Sequence, residues 1–223
     1  MGLTKNRINA PEGIFALENS FRQVAKYRAR RLDSHFYSNM ELADPFLERE
    51  IKWTRLGDLI DWIGNGENLG SQWYAVDDEG SVVYLSVSQI SEFGIEEKNV
   101  SYLKDDVLEL ALGKKGRRVH TVGPNEVLVT RSGSPGIALS SNHPSFDFDS
   151  TTYVPSGFVI RFGLREDVVV SADDVAFYLN LRPVRHYLLA HSAGKCQRNI
   201  SQDVLKLLPF PEDLAANPSG LAA

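Results

Sequence analysis

The segment that most clearly indicates the fold class lies in the middle of the chain and reads Gly123-Pro124-Asn125-Glu126-Val127-Leu128-Val129-Thr130-Arg131-Ser132-Gly133-Ser134-Pro135-Gly136-Ile137-Ala138-Leu139-Ser140. Each apolar run follows a turn rich in glycine and proline, a pattern typical of strands joined by loops. Residues 81–87 and 158–162 have the same β-branched and aromatic character and predict further strands. The centre of the chain is therefore predicted to be a sheet with loops between its strands.

Helices are predicted on the N-terminal side of this sheet. Residues 12–32 place apolar side chains along one helical stripe, and these side chains are Ile14, Leu17, Phe21 and Val24. A second, short helical face is predicted from the spacing of Leu56, Leu59, Ile60 and Ile63, and Gly64-Asn65-Gly66 is expected to end it. Residues 33–52 are predicted to be a polar connector, since Pro45 disfavours a helical Asp44.

Helices are also predicted on the C-terminal side. Ser171 is a candidate N-cap, with Asp173 and Asp174 in the first turn, where carboxylates suit the helix dipole. This helix should reach Pro183, which either kinks it or starts a second helix ending near Gly194. A last short helix is expected over residues 202–208.

The order of elements predicts a mixed α/β (α+β) fold with a twisted mixed β-sheet flanked by helices. We expect three parts: residues 1–50 as an N-terminal helix and connector, 51–213 as a single domain, and 214–223 as a disordered tail. No internal repeat is visible.

Composition excludes several classes of protein. Hydrophobic residues make up 43% and charged residues 24%, as in ordinary soluble globular domains. No apolar run reaches the roughly 18 to 20 residues of a membrane span, and no secretory signal is recognisable, so a cytoplasmic protein is expected. The lone Cys196 predicts neither an internal disulfide nor a structural zinc site. The net charge of −5 argues against a uniformly basic nucleic-acid binder but allows one basic face.

Catalytic motifs are absent, and no cofactor or metal is predicted. The glycine-rich segment at residues 64–70 has the wrong spacing and follows a predicted helix where a dinucleotide loop needs a strand. His186 and His191 are five residues apart, which misses the helical spacing of a zinc pair. A small hydrolase that uses Ser132 or Ser134 with a distant histidine stays open as an alternative, because triads assemble in space.

Two groups of residues suggest contact with DNA. Basic residues on predicted loops are suited to phosphate contact, and these are Lys114, Lys115, Arg117, Arg118, Lys195 and Arg198. Polar side chains near strand ends are of the kinds that contact base edges, with Arg suited to guanine and Gln or Asn to adenine, and these are Ser88, Gln89, Arg131, Ser132, Ser134, Gln197 and Asn199.

The order of several motifs resembles the target-recognition domain of type I restriction–modification specificity (S) subunits. The motifs are Arg31-Leu32-Asp33-Ser34-His35-Phe36-Tyr37, Lys52-Trp53-Thr54-Arg55-Leu56-Gly57-Asp58-Leu59-Ile60, Val82-Val83-Tyr84-Leu85-Ser86-Val87-Ser88-Gln89-Ile90, residues 123–136, Ala193-Gly194-Lys195-Cys196-Gln197-Arg198-Asn199-Ile200-Ser201 and Leu207-Leu208-Pro209-Phe210-Pro211. The resemblance covers residues 31–211, although Asn125-Glu126 stands where the family more often has Gly-Asp.

The resemblance implies a non-catalytic chain that recognises double-stranded DNA by sequence and directs an adenine methyltransferase (modification) subunit and, in some systems, a restriction subunit. The chain has one recognition domain and no long spacer helix, so the resemblance implies a half-subunit that forms a homodimer, an excised domain or a fragment. The alternative of a different class is a protein-interaction module of a defence complex without base contacts of its own.

Overall fold

The computed structural model describes residues 34–75, 80–98, 100–109, 118–194 and 197–216. The described helices are α1 (Ser34–Leu47), α2 (Ala172–Asn180), α3 (Arg182–His191), α4 (Gln202–Lys206) and α5 (Glu212–Ala216). The described strands are β1 (Trp53–Arg55), β2 (Ile60–Asn65), β3 (Val82–Leu85), β4 (Ile90–Ser91), β5 (Gly94–Ile95), β6 (Tyr102–Leu103), β7 (Glu126–Thr130), β8 (Ala138–Ser140), β9 (Thr152–Pro155), β10 (Val159–Leu164) and β11 (Pro209–Pro211). The predicted mixed α/β class is confirmed.

The central sheet is antiparallel, with strand order β2-β10-β7-β8. Alternate residues of its strands, such as Val127, Val129 and Phe162, face a core formed with α2 and α3. Val175 and Leu188 of those helices are completely buried in this core. The strand predicted at residues 126–130 is confirmed in full, and the one predicted at residues 158–162 lies at Val159–Leu164.

A second, three-stranded sheet covers the other face of the central sheet. Its order is β6-β3-β9, and β3 and β9 run parallel. Leu128, Leu139 and Val159 of the central sheet pack against Val83 and Leu85 of β3. The alternate β3 residues enter a separate core that also contains Leu103 and Val154, so all of β3 is buried. Burial on both faces explains the continuous apolar run of this strand.

The C-terminal helices follow the predicted signals. The Ser171 hydroxyl accepts a hydrogen bond from the Asp174 backbone N–H at 3.1 Å, and the Asp174 carboxylate accepts one from the Ser171 backbone N–H at 3.0 Å. This reciprocal pair is a capping box. Pro183 lies in the first turn of α3 and so begins a second helix rather than kinking the first. That helix ends at His191.

The helix predicted over residues 56–63 is wrong. Leu56–Asp58 form one 3-10 turn, and residues 60–65 form β2, which pairs with β10 from Ile160 to Leu164. Leu56 and Leu59 are buried in the core between the central sheet and helices α2 and α3. The spacing of these leucines with Ile60 and Ile63 fits a helix, but Ile60 and Ile63 instead belong to β2. The backbone hydrogen bonds of β2 with β10, which is distant in sequence, favour the strand. Gly64 and Asn65 therefore lie within a strand instead of ending a helix.

The polar connector predicted over residues 33–52 is also wrong over much of its length. Residues 34–47 form α1, and Phe36, Tyr37 and Met40 pack against Ala190 of α3. Pro45 lies near the end of the helix, where its missing N–H removes one of the last backbone bonds, and the apolar contacts with α3 offset that loss. Glu48 N–H still donates to Asp44 C=O at 2.8 Å, so Asp44 is helical.

The predictions for the two ends of the chain can be compared with the structure only in part. α5 occupies residues 212–216, where the sequence predicts the start of a disordered tail. The helix predicted at residues 12–32 and the tail residues 217–223 lie outside the described residues. Among the described helices, none is long and apolar enough to cross a membrane.

Candidate nucleic-acid interface

One end of the central sheet gathers loops from all four of its strands. Antiparallel order places the end of β2 at Asn65, the start of β10 after Phe158, the end of β7 before Arg131 and the start of β8 after Gly136 at the same edge. Arg131 N–H donates to the Phe158 carbonyl at 2.8 Å, which ties two of these loops together. We call this edge, with the loops on it, the loop edge.

A tight turn at residues 131–137 forms the centre of the loop edge. The Thr130 hydroxyl donates to Ser134 C=O at 2.7 Å and accepts from Ile137 N–H at 2.9 Å. Gly133 and Gly136 have φ values of 75° and 89°, a left-handed backbone that favours glycine. These bonds and angles hold the turn in one shape and leave Ser134 exposed.

A second loop, described at residues 193–194 and 197–199, lies beside this turn. Ala193 and Asn199 exchange backbone hydrogen bonds of 2.8 Å, and Ile200 N–H donates to Arg131 C=O at 3.0 Å. This bond places the loop that carries Gln197 next to Arg131. The structure thus brings together the residues predicted on two separate segments, Arg131 and Ser134 on one and Gln197, Arg198 and Asn199 on the other.

Several polar side chains at the loop edge are available to a ligand. Arg131 is partly exposed and Gln197 exposed, and neither side chain has a hydrogen-bond or ion-pair partner within the described ranges. Arg198 is half-buried, and its Nη1 lies 3.5 Å from Ser192 C=O. The Asn199 amide donates to Gln197 C=O at 3.0 Å and so stabilises its own loop.

Two residues of the loop edge, Asn65 and Gln202, are not predicted from the sequence. Gln202 Nε2 donates to Asn65 Oδ1 at 3.3 Å, across 137 residues of sequence. With Arg131, Ser201 and Asp203 they line a cleft of about 270 Å³. Only the pairing of β2 with β10 brings Asn65 here, and no local signal marks it.

Two of the predicted base-contacting residues are buried. Gln89 is 0% exposed, and its Oε1 accepts from Ser86 N–H at 2.9 Å and from the Ser86 hydroxyl at 3.0 Å. Ser132 is 1% exposed. Both side chains lie inside the fold, so neither can contact a base edge and neither belongs to the loop edge. Ser88 is exposed beside Ser86, and Val87 lies close to Gly133.

The predicted basic cluster lies mostly beyond the part of the chain that the structure describes. Lys114, Lys115 and Arg117 fall outside it, as does Lys195 of the second loop. Arg118 is described, exposed and paired with Glu109, its Nη2 lying 3.0 Å from a carboxylate oxygen.

A buried ion pair lies on the face of the sheet beside β2. Arg161 donates from Nε and Nη2 to the two carboxylate oxygens of Glu126, at 2.9 and 2.6 Å. Burial raises the pKa of Glu126, and the charge and hydrogen bonds of Arg161 oppose this rise. The Arg161 guanidinium lies 4.8 Å from the ring centroid of Trp62. His120 Nδ1 lies 3.2 Å from the buried Glu67 carboxylate nearby.

The hydrolase alternative requires a histidine within hydrogen-bond reach of Ser132 or Ser134. His143 bonds to Ser145, and the four other histidines contact different groups. No hydrogen bond joins either serine hydroxyl to a histidine in the described residues. Nor does any group of three His, Cys, Asp or Glu residues that could hold a metal ion occur in the described part of the chain. The geometry gives this alternative no support.

Comparisons with known proteins find similar solved structures. The chain is similar to the S subunit of a type I restriction–modification system from M. genitalium, at 19% identity and a TM-score of 0.45, over 75% of this chain and 36% of that one. It is similar to an HsdS subunit from Thermoanaerobacter tengcongensis, at 15% identity and a TM-score of 0.46, over 89% and 44%. It is similar to the type IIG restriction endonuclease BpuSI, at 12% identity and a TM-score of 0.49, over 87% and 31%.

The chain spans less than half the length of each of these three proteins. No family model matches it, and no curated protein matches it.

Proposed function

We propose that this chain recognises double-stranded DNA by sequence through its loop edge, as the specificity component of a type I-like restriction–modification system. One observation carries the proposal: Arg131 and Gln197, from segments far apart in sequence, are neighbours at the loop edge, and their side chains bond to no described residue. Arginine can donate to two adjacent acceptors of guanine and glutamine can pair with adenine in the major groove. A rigid turn that presents such side chains is what base recognition requires.

The residues around these two suit a DNA surface. Ser134 adds an exposed hydroxyl, and Phe158, which is 51% exposed, adds an apolar group of the kind that contacts the thymine methyl. The backbone N–H of Arg131 and the Thr130 hydroxyl are already bonded within the protein. The fixed backbone means that little ordering entropy is lost when DNA binds.

The net charge of −5 means that the loop edge has to work against acidic residues elsewhere on the chain. We propose that partner subunits, a methyltransferase and in some systems a nuclease, supply part of the phosphate contact and all of the chemistry. The chain itself is then non-catalytic and cytoplasmic. It acts as one half of a two-part reader, by forming a homodimer or as part of a longer protein.

Electrophoretic binding assays with duplexes selected from a randomised library test the proposal. Each is run with the chain alone and with the methyltransferase, over a salt titration. We expect Arg131→Ala to weaken binding to the selected duplex by about tenfold, which corresponds to about 1.4 kcal/mol, within the range for one lost bidentate base contact. Gln197→Ala should relax the preference at a different base pair.

Arg165→Ala is the matched control. Arg165 is exposed, pairs with Asp167 and follows β10, so it lies at the opposite end of the sheet from the loop edge. Replacing Arg165 removes the same charge as replacing Arg131, but it should leave the DNA sequence preference unchanged. Equal losses for Arg131→Ala and Arg165→Ala would show that only net charge matters. No binding to any duplex at low salt, with or without the methyltransferase, would refute the proposal.

A second candidate function, protein interaction without base contacts, is favoured by one observation. Phe93 is 81% exposed and Phe177 is 54% exposed, and both line one groove over Leu139. Exposed aromatic side chains are enriched where proteins bind each other. If Phe93→Ser with Phe177→Ser abolishes assembly with the methyltransferase and Arg131→Ala changes no DNA preference, this second function replaces the first.

A further inference from the structure

A pocket opens beside β2 because residue 64 has no side chain. A Cβ built on Gly64 would meet no atom within 4 Å. The space above it is about 340 Å³, within the roughly 300 to 1,000 Å³ typical of small-ligand sites. Its lining consists of Trp62, Ile63, Gly64, Asn65, His120 and Arg161. Asn65 also lines the cleft at the loop edge, so the pocket adjoins the proposed DNA surface.

Arg161 is the fixed donor in this pocket. Its side chain is 9% exposed, and Glu126 holds its Nε and Nη2 atoms. Nη1 has no hydrogen-bond partner among the described residues and is not one of the fully enclosed atoms. With Nε and Nη2 bound on one side, the N–H groups on the Nη1 side remain for a second acceptor pair. Because the carboxylate fixes the guanidinium plane, those donors point in one direction.

Trp62 supplies a flat wall. Its indole lies on Gly163, where a Cβ would come within 2.4 Å of Nε1, and it also contacts the Arg161 guanidinium. The residue is nevertheless 39% exposed. An indole that rests on the sheet and is still partly exposed offers a surface on which a planar ring can stack, a contact worth about 1–3 kcal/mol for a nucleobase.

The charges around the pocket favour a neutral ligand. Glu126 balances Arg161, and the buried Glu67 carboxylate lies beside His120. A phosphate or carboxylate would add a further negative charge next to two carboxylates. A neutral ring with two adjacent acceptors avoids this repulsion, and among the base edges guanine presents such a pair at O6 and N7.

We propose that this pocket binds a guanine base unstacked from the DNA, with the ring on Trp62 and its O6 and N7 atoms on the free donors of Arg161. The inference deepens the proposed function and rests on it for the source of the base. It makes Arg161 and Trp62 specificity-determining residues in addition to those of the loop edge, and it gives Gly64 the role of keeping the pocket open.

The test fills the pocket without removing any contact. Gly64→Val places a side chain in the open space of a strand position, where valine is favoured. Gly80→Val is the matched control: Gly80 is exposed, and its built Cβ lies 3.4 Å from Tyr102, an ordinary contact. The probes are duplexes with one bulged guanine, one bulged 7-deazaguanine, which lacks N7, or one bulged adenine, together with a fully paired duplex. GMP and AMP are titrated in separate experiments, and their binding is monitored by tryptophan fluorescence.

We expect the wild type and Gly80→Val to bind the guanine bulge about tenfold more tightly than the three other duplexes. Gly64→Val should bind all four equally. GMP, and not AMP, should quench fluorescence in the wild type. Trp62→Phe removes the indole of the pocket and should lose this quenching, which assigns the signal to Trp62.

Equal binding of the guanine and adenine bulges by the wild type, or an unchanged guanine preference in Gly64→Val, would overturn the pocket and leave the proposed function standing. If no duplex binds, the proposed function fails, and the GMP titration alone then tests whether the pocket binds guanine. Quenching by GMP that Gly64→Val abolishes would then support a guanine pocket, and no quenching would refute it.

Discussion

Replacing Arg161 by methionine would leave the Glu126 carboxylate in the protein interior without its charged partner. The two side chains are 9% and 8% exposed and share hydrogen bonds of 2.9 and 2.6 Å. Among the described residues, the Glu126 carboxylate keeps one other hydrogen bond, accepted from Gly123 N–H at 2.8 Å. One backbone donor does not replace the attraction and the two bonds that the guanidinium supplies.

The expected cost follows from this geometry. Removing one partner of a buried ion pair typically costs about 3–5 kcal/mol, because the remaining charge is uncompensated. For a protein of this size, each kcal/mol lowers Tm by about 2–4 °C, so Arg161→Met should lower Tm by about 10 °C at neutral pH. Most of this cost comes from the stranded carboxylate rather than from the lost attraction.

A double variant separates these two causes. Glu126→Gln removes the charge and keeps an oxygen that can accept from Gly123 N–H. Arg161→Met combined with Glu126→Gln should therefore recover more than half of the free energy of unfolding that Arg161→Met alone loses, since replacing a whole buried pair by neutral groups is often close to neutral.

The pH dependence has a definite sign. Burial raises the pKa of Glu126 above 4.5, and Arg161 opposes that rise, so Arg161→Met should raise the pKa further. The folded variant then keeps a proton that the unfolded chain releases as the pH passes about 4.5, so its stability falls as the pH rises from there to the folded pKa. The difference in free energy of unfolding between wild type and variant should be largest at pH 7 and smaller at pH 4.

Urea unfolding followed by circular dichroism at pH 7 and pH 4 gives these free energies, with Arg165→Met as a control for a lost exposed arginine. If Arg161→Met lowers the free energy of unfolding by less than about 1 kcal/mol at pH 7, the pair contributes no more than an exposed ion pair does, and the expected cost of the buried charge is wrong. A double variant as unstable as the single one would also contradict that expectation.

Three further predictions concern the frame of the fold, each measured by urea unfolding. Ser171→Ala removes the capping hydroxyl from the Asp174 N–H and should cost about 1 kcal/mol, with Ser171→Asp as the variant that restores it. Gly136→Ala should cost about 1–3 kcal/mol, because φ is 89° and a Cβ would lie 3.1 Å from Leu188. Thr130→Val keeps the shape of the side chain but breaks its bonds across the turn, so it should cost about 1–3 kcal/mol. In each case an unchanged free energy of unfolding would contradict the assigned contact.

The parts of the fold that the sequence predicts correctly are those with a local cause. Ser171 caps its helix through contacts within three residues. A turn precedes β7 and another turn follows it. The wrong predictions involve distant partners. The apolar residues at positions 56–63 match a helical spacing, but β10, about a hundred residues later, makes the second half of that segment a strand.

The candidate site divides in the same way. Arg131 and Gln197 are predicted from their residue types and from their positions near strand ends, but nothing local shows that they are neighbours. That proximity depends on one backbone bond, from Ile200 N–H to Arg131 C=O. Trp62 and Arg161 are missed because each has an ordinary role in a strand, and only the register of β2 on β10 places them together.

The loop edge separates the groups that hold its shape from those that are free to contact a ligand. Backbone bonds, the Thr130 hydroxyl and the left-handed Gly133 and Gly136 fix the turn, whereas the side chains of Arg131 and Gln197 bond to no described residue. Replacing free surface side chains usually changes stability by less than about 0.5 kcal/mol. Under the proposed function, the preferred base pairs can therefore change through these positions without a loss of folding. For the same reason, weaker DNA binding by Arg131→Ala would report a lost contact rather than a damaged fold.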